Sequence, residues 1–118
     1  MKKRYYKWQD LEKDMTKLAK QIDDTQIAFK NIFPVARGGL VPSVMLSHKL
    51  DIPIVLDKKY ISKYTLIVDE VVATGKTLHH LKKFNVVCIH WKPKTASFEP
   101  KFYARKTSEW IVYPWELK

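Results

Sequence analysis

Residues 66–78 read Leu-Ile-Val-Asp-Glu-Val-Val-Ala-Thr-Gly-Lys-Thr-Leu, and the fold can be worked out from this stretch. Its apolar start predicts a strand over residues 64–68 that is buried on both faces, as in a covered parallel sheet. The acids Asp69 and Glu70 follow that strand. Thr-Gly-Lys-Thr then predicts the entry to a short helix over residues 76–84. A strand, a glycine turn and a helix form the repeating unit of an α/β protein.

The remaining chain alternates in the same way. Apolar residues spaced by three or four predict a helix over residues 8–22. A second helix is predicted over residues 40–50, with Pro42 in its first turn, where a missing N–H costs least. We therefore predict an α/β fold, a Rossmann-like and mostly parallel sheet flanked by helices, whose other strands cover residues 29–35, 52–56 and 85–91.

The C-terminal part of the chain differs in composition. Between residues 93 and 118 there are three prolines, two tryptophans and a strand-like segment at 110–113. We predict that this part forms a small hood above the sheet, together with the N-terminal segment, and adds no further strand–helix unit. The chain is thus predicted to be one domain over residues 1–118, with a core at about 26–92.

Charge is the most unusual bulk property of the sequence. Its 118 residues include 22 Lys and Arg against 12 Asp and Glu, which gives a net charge of +10. Such a balance favours polyanionic partners such as nucleic acid, although scattered lysines are also typical of a solvated surface. No apolar run approaches the ~20 residues that cross a bilayer. With Cys88 as the single cysteine, no intrachain disulfide is expected, and a cytoplasmic location is predicted.

All three glycines lie in two turns that follow predicted strands: Gly38 and Gly39 in the first, Gly75 in the second. In open α/β sheets, ligands bind beyond the carboxyl ends of the strands. Two glycine turns at that edge favour anion binding, although any single turn of this kind can contain a glycine for its backbone alone. Arg37, one of three arginines, adds a guanidinium for phosphate, unless it is simply a surface residue.

Asp69 and Glu70 point to a ligand, because adjacent acids beside a buried strand are costly unless they bind something. Their spacing suits vicinal ribose hydroxyls or a hydrated magnesium ion. The Gly-Lys-Thr at residues 75–77 suggests a nucleotide-binding P-loop. That motif requires a glycine where Glu70 stands, so the P-loop interpretation fails.

These segments together resemble a known family. Residues 66–78 resemble the phosphoribosyl-pyrophosphate motif of the type I phosphoribosyltransferases. Residues 36–42 resemble the pyrophosphate loop of their purine branch. Residues 90–93 and 110–116 are similar to base-recognising segments of the xanthine-guanine and hypoxanthine enzymes. The resemblance covers most of the chain, which is unusually short for this branch.

The resemblance implies a set of catalytic and sugar-binding residues. Asp69 and Glu70 would bind the ribose hydroxyls and, indirectly, Mg²⁺, and with Arg37 they form the implied catalytic set. The phosphoribosyl group would be bound by these two acids and by Ala73, Thr74, Gly75, Lys76 and Thr77.

Two further groups of residues are implied for pyrophosphate and purine. The pyrophosphate would lie against Ala36, Arg37, Gly38 and Gly39, with a cis peptide bond between the first two. The base would contact three residues through a donor, a stacking ring and a carbonyl: Lys92, Trp110 and Ile111.

The implied reaction transfers a 5-phosphoribosyl group from phosphoribosyl pyrophosphate to guanine, xanthine or hypoxanthine, with Mg²⁺, in a homodimer or higher oligomer. Two departures from the family pattern bear on turnover. Ala73 stands where the 6-oxopurine enzymes usually carry an aspartate that handles the purine proton. Residues 57–64 form a loop of eight residues, too short for the usual lid. Its lysines, Lys58, Lys59 and Lys63, either attract phosphate or are merely solvated.

Two alternatives therefore accompany the enzyme interpretation. The first is a catalytically weak or inactive regulatory protein that still binds phosphoribosyl pyrophosphate or a nucleotide. The second is a protein that binds RNA or DNA through its basic surface.

Overall fold

The computed structural model describes residues 2–116. Its elements in chain order are β1 (Lys3–Tyr5), α1 (Trp8–Asp24), β2 (Asn31–Pro34), α2 (Leu40–Leu50), β3 (Thr65–Val72), β4 (Asn85–Trp91), β5 (Phe102–Lys106) and β6 (Trp110–Val112), with short 3₁₀ turns at Lys58–Tyr60, His79–Leu81 and Pro114–Glu116.

The central sheet has the strand order β2-β3-β4-β5, and β1 pairs with β6 in a second, two-stranded sheet. Every pairing within these two sheets is parallel. The predicted α/β class with a mostly parallel sheet is therefore confirmed. No helix among residues 2–116 combines the length and the apolar character needed to span a membrane.

Both long helices cover the same face of the central sheet. Leu11 and Met15 of α1 and Leu46 of α2 are fully buried, and they belong to the same core as Leu66 and Val87 of the sheet. Burying an aliphatic side chain of this size contributes roughly 1.5–3 kcal/mol. The three- and four-residue spacing in α1 is thus explained by its contact with the sheet.

The opposite face is covered without a long helix. Leu78 and Leu81 pack against Ile67 and Val86 of the sheet. The predicted helix over residues 76–84 is wrong, because the structure has turns at 76–78 and a single 3₁₀ turn at His79–Leu81. Leu78 and Leu81, the two residues that contact the sheet, are three positions apart, which matches the three residues per turn of a 3₁₀ helix. Such helices rarely exceed three or four residues.

Two predicted strands have different bounds in the structure. The 52–56 stretch forms only a single bridge, between Ile54 and Ile32, and Pro53 has no N–H to extend it. In contrast, β3 continues past residue 68 to Val72, because β4 pairs with it along its whole length. The acids predicted to follow β3 therefore lie inside it.

The tail adds a strand that the sequence analysis missed. Phe102–Lys106 joins the central sheet beside β4, with Phe102 and Ala104 buried. The prediction that residues 93–118 form only an appendage is wrong for this strand. The adjacent aromatic residues Phe102 and Tyr103, shortly after Pro100, were the available signal. The last strand, β6, pairs instead with β1, so the two terminal segments form the second sheet.

A buried polar cluster joins the second sheet to the central one. Tyr6 donates a hydrogen bond to Asp14, and Arg105 Nε donates to Asp14 Oδ2 at 2.8 Å. The Tyr6 ring meets His90 edge-on at 5.0 Å between ring centroids. Burial, with smaller contributions from the Arg105 and Lys92 charges, lowers the pKa of His90 to about 4. His90 is therefore a neutral member of the cluster at pH 7.

Candidate active site

Both glycine turns lie at the same edge of the central sheet. A side chain added at Gly38 would overlap the Glu70 carboxylate, and one added at Gly39 would overlap the carbonyl oxygen of Val68. Only glycine lets the first turn approach β3 this closely. The structure thus brings together the two turns that the sequence analysis singled out separately.

A cavity of about 180 Å³ lies along residues 69–78. Gly75 has φ +85°, and an added side chain there would lie 2.6 Å from Ser97 Oγ. The backbone N–H groups of Thr74, Gly75 and Thr77 donate to no acceptor within residues 2–116. Unpaired amide groups lining a turn form a concave site for an anion.

The loop after β4 supports this turn through hydrogen bonds, and this support was not predicted from the sequence. Thr95 Oγ1 donates to the carbonyl of Ala73 at 2.6 Å, and the Ser97 N–H donates to the carbonyl of Thr74 at 2.9 Å. The signal was a polar Thr-Ala-Ser run just past a strand that ends at the same edge. These bonds satisfy the carbonyls of Ala73 and Thr74 and fix the turn to the loop after β4.

The two acids differ in environment. Asp69 is 8% exposed, and its Oδ1 accepts a hydrogen bond from the Glu70 N–H at 2.8 Å. Burial and the adjacent Glu70 carboxyl together raise the pKa of Asp69. Within residues 2–116 no cluster of three or more Asp, Glu, His or Cys side chains could hold a metal ion. The chain therefore offers two adjacent carboxylates, and a cation here needs further oxygens from a ligand.

A second cavity, of about 240 Å³, adjoins the first. The two share Glu70, Val71 and Ala73 in their linings. Each of the three predicted base-binding residues lines the second cavity, and Lys92 Nζ lies 5.6 Å from the Trp110 ring centroid. The remaining lining residues are Tyr113 and Glu116.

Tyr113 was not predicted as a site residue, although it lies within the 110–116 segment. Its hydroxyl donates to the carbonyl of Glu70 at 3.1 Å and lies 2.9 Å from His90 Nδ1. A tyrosine hydroxyl has a single proton, so this arrangement requires His90 to carry its proton on Nδ1. The Tyr113 N–H donates to Glu116 Oε1 at 2.8 Å. Tyr113 thus connects the second cavity to the buried polar cluster.

Arg37 lies apart from both cavity linings. It is exposed in the first glycine turn, and the peptide bond between Ala36 and Arg37 is cis, as the resemblance implied. Lys58 lines a third cavity, of about 300 Å³, which Ala36 also lines. Lys59 lies 3.9 Å from Asp57 in an exposed ion pair and lines none of these three cavities.

Known proteins are similar to this chain in sequence and in fold. The purine phosphoribosyltransferase of Pyrococcus horikoshii is 32% identical, with a TM-score of 0.81 over 100% of this chain and 97% of that one, so a short length is not peculiar to this chain. The xanthine-guanine phosphoribosyltransferase of Desulfotalea psychrophila is 28% identical over 94% of this chain and 84% of that protein. The Helicobacter pylori xanthine-guanine-hypoxanthine phosphoribosyltransferase, 20% identical with a TM-score of 0.82, shares the fold over 98% of this chain and 95% of that one. No protein-family model matches the sequence. The chain belongs to the purine branch of the type I phosphoribosyltransferases.

Proposed function

We propose that the protein transfers a 5-phosphoribosyl group from phosphoribosyl pyrophosphate to a 6-oxopurine, with release of pyrophosphate. The observation that carries this proposal is the pair of adjoining cavities that share Glu70, Val71 and Ala73. One is lined by an anion-binding turn and the other by an aromatic ring, a lysine and a backbone strand. A phosphorylated sugar and a purine placed in them would meet where the cavities join.

The sugar-phosphate side is supported by the unpaired amides of the 74–77 turn. These N–H groups and the hydroxyls of Thr74 and Thr77 suit a phosphate monoester. Asp69 and Glu70 lie at the inner end of the same cavity, where they suit the vicinal hydroxyls of a ribose ring. The order along the chain, acids first and amides after, matches the order of hydroxyls and 5′-phosphate along the sugar.

The base side is supported by three kinds of group. The Trp110 ring is 55% exposed and offers a stacking face, and the Lys92 ammonium can donate to a 6-oxo group. Along β6, the Trp110 N–H and the Val112 carbonyl bond towards β1. Successive peptide groups of a strand point to opposite sides, so the Ile111 carbonyl is directed away from β1 and can accept from the base.

The two carboxylates also fit Mg²⁺, which proteins often bind through one or two carboxylates together with substrate oxygens. When bound, the ion would supply positive charge to the pyrophosphate oxygens. The Arg37 guanidinium and the Gly38 N–H, which donates to no acceptor within residues 2–116, would hold the same leaving group. In the transfer, a purine nitrogen forms the bond to ribose C1 while the C1–oxygen bond to pyrophosphate breaks, and the proton that the purine loses passes to solvent. The chain's part is to align those atoms.

A second candidate function is supported by Ala73, which lines both cavities at their junction. A methyl group there cannot accept the proton that the purine loses, and such proton transfer typically contributes 10²- to 10⁴-fold. The second candidate is therefore a nucleotide-binding protein with weak turnover.

We infer in addition that the protein forms a homodimer. Leu56 is 76% exposed and Leu40 is 40% exposed, and both line the third cavity. Exposed apolar side chains around a cavity are typical of an interaction surface. Light scattering on the protein as it elutes from a size-exclusion column should give twice the mass of one chain. A Leu56→Asp variant should then run as a monomer, and a monomeric wild type would contradict the inference.

The function is tested by pyrophosphate release with Mg²⁺ and phosphoribosyl pyrophosphate, adding guanine, xanthine, hypoxanthine or adenine in turn. We expect release that requires both substrates, with one of the 6-oxopurines preferred over adenine. Calorimetric titration with phosphoribosyl pyrophosphate separates the two candidates. Tight binding without base-dependent release identifies the binding protein, and absence of both contradicts the whole proposal.

A further inference from the structure

The edge of the central sheet opposite the active site carries a row of lysines. Lys30 and Lys101 stand directly before β2 and β5, and Lys63 and Lys83 stand two residues before β3 and β4. Because all four strands are parallel, they begin at one edge and end at the other. A lysine therefore stands at the start of every strand of this sheet, at the edge away from the substrate cavities.

The strand register sets the spacing of this row. Asn31 pairs with Thr65, and Leu66 pairs with Asn85. Counting back along each strand puts Lys30 and Lys83 level with Tyr64, one on each side of it. Neighbouring strands lie about 4.8 Å apart, so these two backbones are about 10 Å apart across the edge.

Among residues 2–116, the ammonium groups of the row have no acidic partner within ion-pair distance. Lys30 and Lys63 Nζ lie 5.5 and 5.2 Å from the Tyr64 ring centroid, and Lys83 Nζ lies 5.3 Å from that of Phe84. Lys101 Nζ donates to the neutral Asn85 side chain at 3.1 Å. None of the ion pairs between residues 2 and 116 includes any of these four lysines. Their positive charge is therefore not neutralised by the protein itself.

An exposed aromatic ring lies beside the row. Tyr60 is 53% exposed. Its backbone carbonyl accepts a hydrogen bond from Thr65 Oγ1 at 3.3 Å, at the start of β3. Lys59 Nζ lies 5.1 Å from the ring centroid. A row of cations next to an exposed ring combines the two features that bind single strands: charge along the backbone and a platform on which a base stacks.

We propose that this edge, formed by Lys30, Lys63, Lys83 and Lys101 with Tyr60, binds single-stranded nucleic acid. The lysines contact consecutive phosphates, and the tyrosine ring stacks on one base. The surface lies at the opposite end of the β-strands from the two substrate cavities. A nucleic acid bound there therefore leaves both cavities open. The net charge of +10 adds a long-range attraction that is independent of sequence.

Fluorescence anisotropy with a labelled 12-nucleotide single strand, measured from about 50 to 300 mM salt, tests the proposal. The edge variant Lys30→Gln/Lys83→Gln/Lys101→Gln is compared with the control Lys2→Gln/Lys3→Gln/Lys13→Gln. Both variants lower the net charge from +10 to +7. We expect the edge variant to bind at least tenfold more weakly, with a log–log salt slope shallower by about 2, since each phosphate contact on a single strand contributes about 0.7.

Tyr60→Ala tests the stacking part. It should weaken single-strand binding about five- to a hundredfold and leave binding of the matching duplex unchanged. Comparing the affinities for RNA and DNA strands of the same sequence identifies which nucleic acid the protein prefers. Equal losses in the two lysine variants, no binding at 50 mM salt, or equally tight binding of duplex or inorganic polyphosphate would each overturn the proposal. Pyrophosphate release should be unchanged in the edge variant, so this test is independent of the proposed enzyme activity.

Discussion

The two adjoining cavities are built in opposite ways. The sugar-phosphate cavity is lined by residues 69–78 alone, a single continuous stretch. The proposed base cavity is assembled from β3, the loop after β4, β6 and the 3₁₀ turn that follows β6, and its lining residues are up to 46 positions apart, between Glu70 and Glu116. A local motif therefore makes the proposed sugar-phosphate site. The proposed base site depends on how the second sheet docks on the central one.

The largest effect should come from the acids at the inner end of the local cavity. Asp69→Asn with Glu70→Gln should abolish binding of phosphoribosyl pyrophosphate in calorimetry, because two neutral amides attract neither a cation nor ribose hydroxyls as carboxylates do. Purine binding to the other cavity should persist.

The control for that pair is Asp23→Asn with Asp51→Asn, two exposed acids away from both cavities. The double variant Asp69→Asn/Glu70→Gln should fold normally, since the amide oxygen that replaces Asp69 Oδ1 can still accept from the N–H of residue 70. Affinity equal to that of the wild type would rule out the ribose assignment.

Ala73, at the junction of the cavities, should give the next largest effect. Ala73→Asp places a carboxylate where the departing purine proton can be accepted, and turnover should rise by up to about 10²-fold. Steady-state pyrophosphate release measures it, and Ala73→Asn is the control with the same shape and no base. If both variants are equally slow, proton transfer at this position does not limit the reaction.

The assembled cavity should respond to loss of its aromatic face. Trp110→Ala should weaken purine binding by about 1–3 kcal/mol, the usual contribution of stacking on a base, and leave phosphoribosyl pyrophosphate binding unaltered. Tyr5→Ala removes an equally exposed ring on β1 that lines neither cavity. Equal losses in both variants would mean that the ring acts through stability and not through contact with the base.

The smallest effect concerns the junction that docks the second sheet. The pKa of His90 is about 4 in the folded protein, against its ordinary value of 6.5, so between these values only the unfolded chain binds the proton. The free energy of unfolding should therefore fall as the pH is lowered, by about 1–2 kcal/mol between pH 6.5 and 5 from this group.

Urea unfolding at several pH values checks this dependence. His90→Gln should flatten the curve between pH 6.5 and 5, whereas His48→Gln, at an exposed position on α2, should leave it unchanged. A curve of the same slope in His90→Gln would show that other groups cause the acid sensitivity.

Prediction from the sequence succeeded where a short segment carries its own signal. The positions of the two glycine turns and the helix over residues 40–50 could be predicted from adjacent residue types, although distant residues support both turns in the structure. It failed where a distant partner decides the structure. Pairing with β4 carries β3 past its predicted end, and docking on the sheet turns the expected helix after Gly75 into a 3₁₀ turn.

The amino-acid sequence by itself determined the chemical groups of this protein. It fixes where the carboxylates and the glycines lie, and it gives an excess of basic over acidic residues. Only the tertiary structure decided that Tyr113 and Glu116 line the base cavity beside Lys92, and that the lysines before each strand share one edge. The physical reason is the distance along the chain over which the deciding interactions act. Backbone conformation and hydrogen bonding in a turn depend on neighbours along the chain. In contrast, parallel strands bring together residues that are far apart in sequence, and their order and register are fixed only when the core packs.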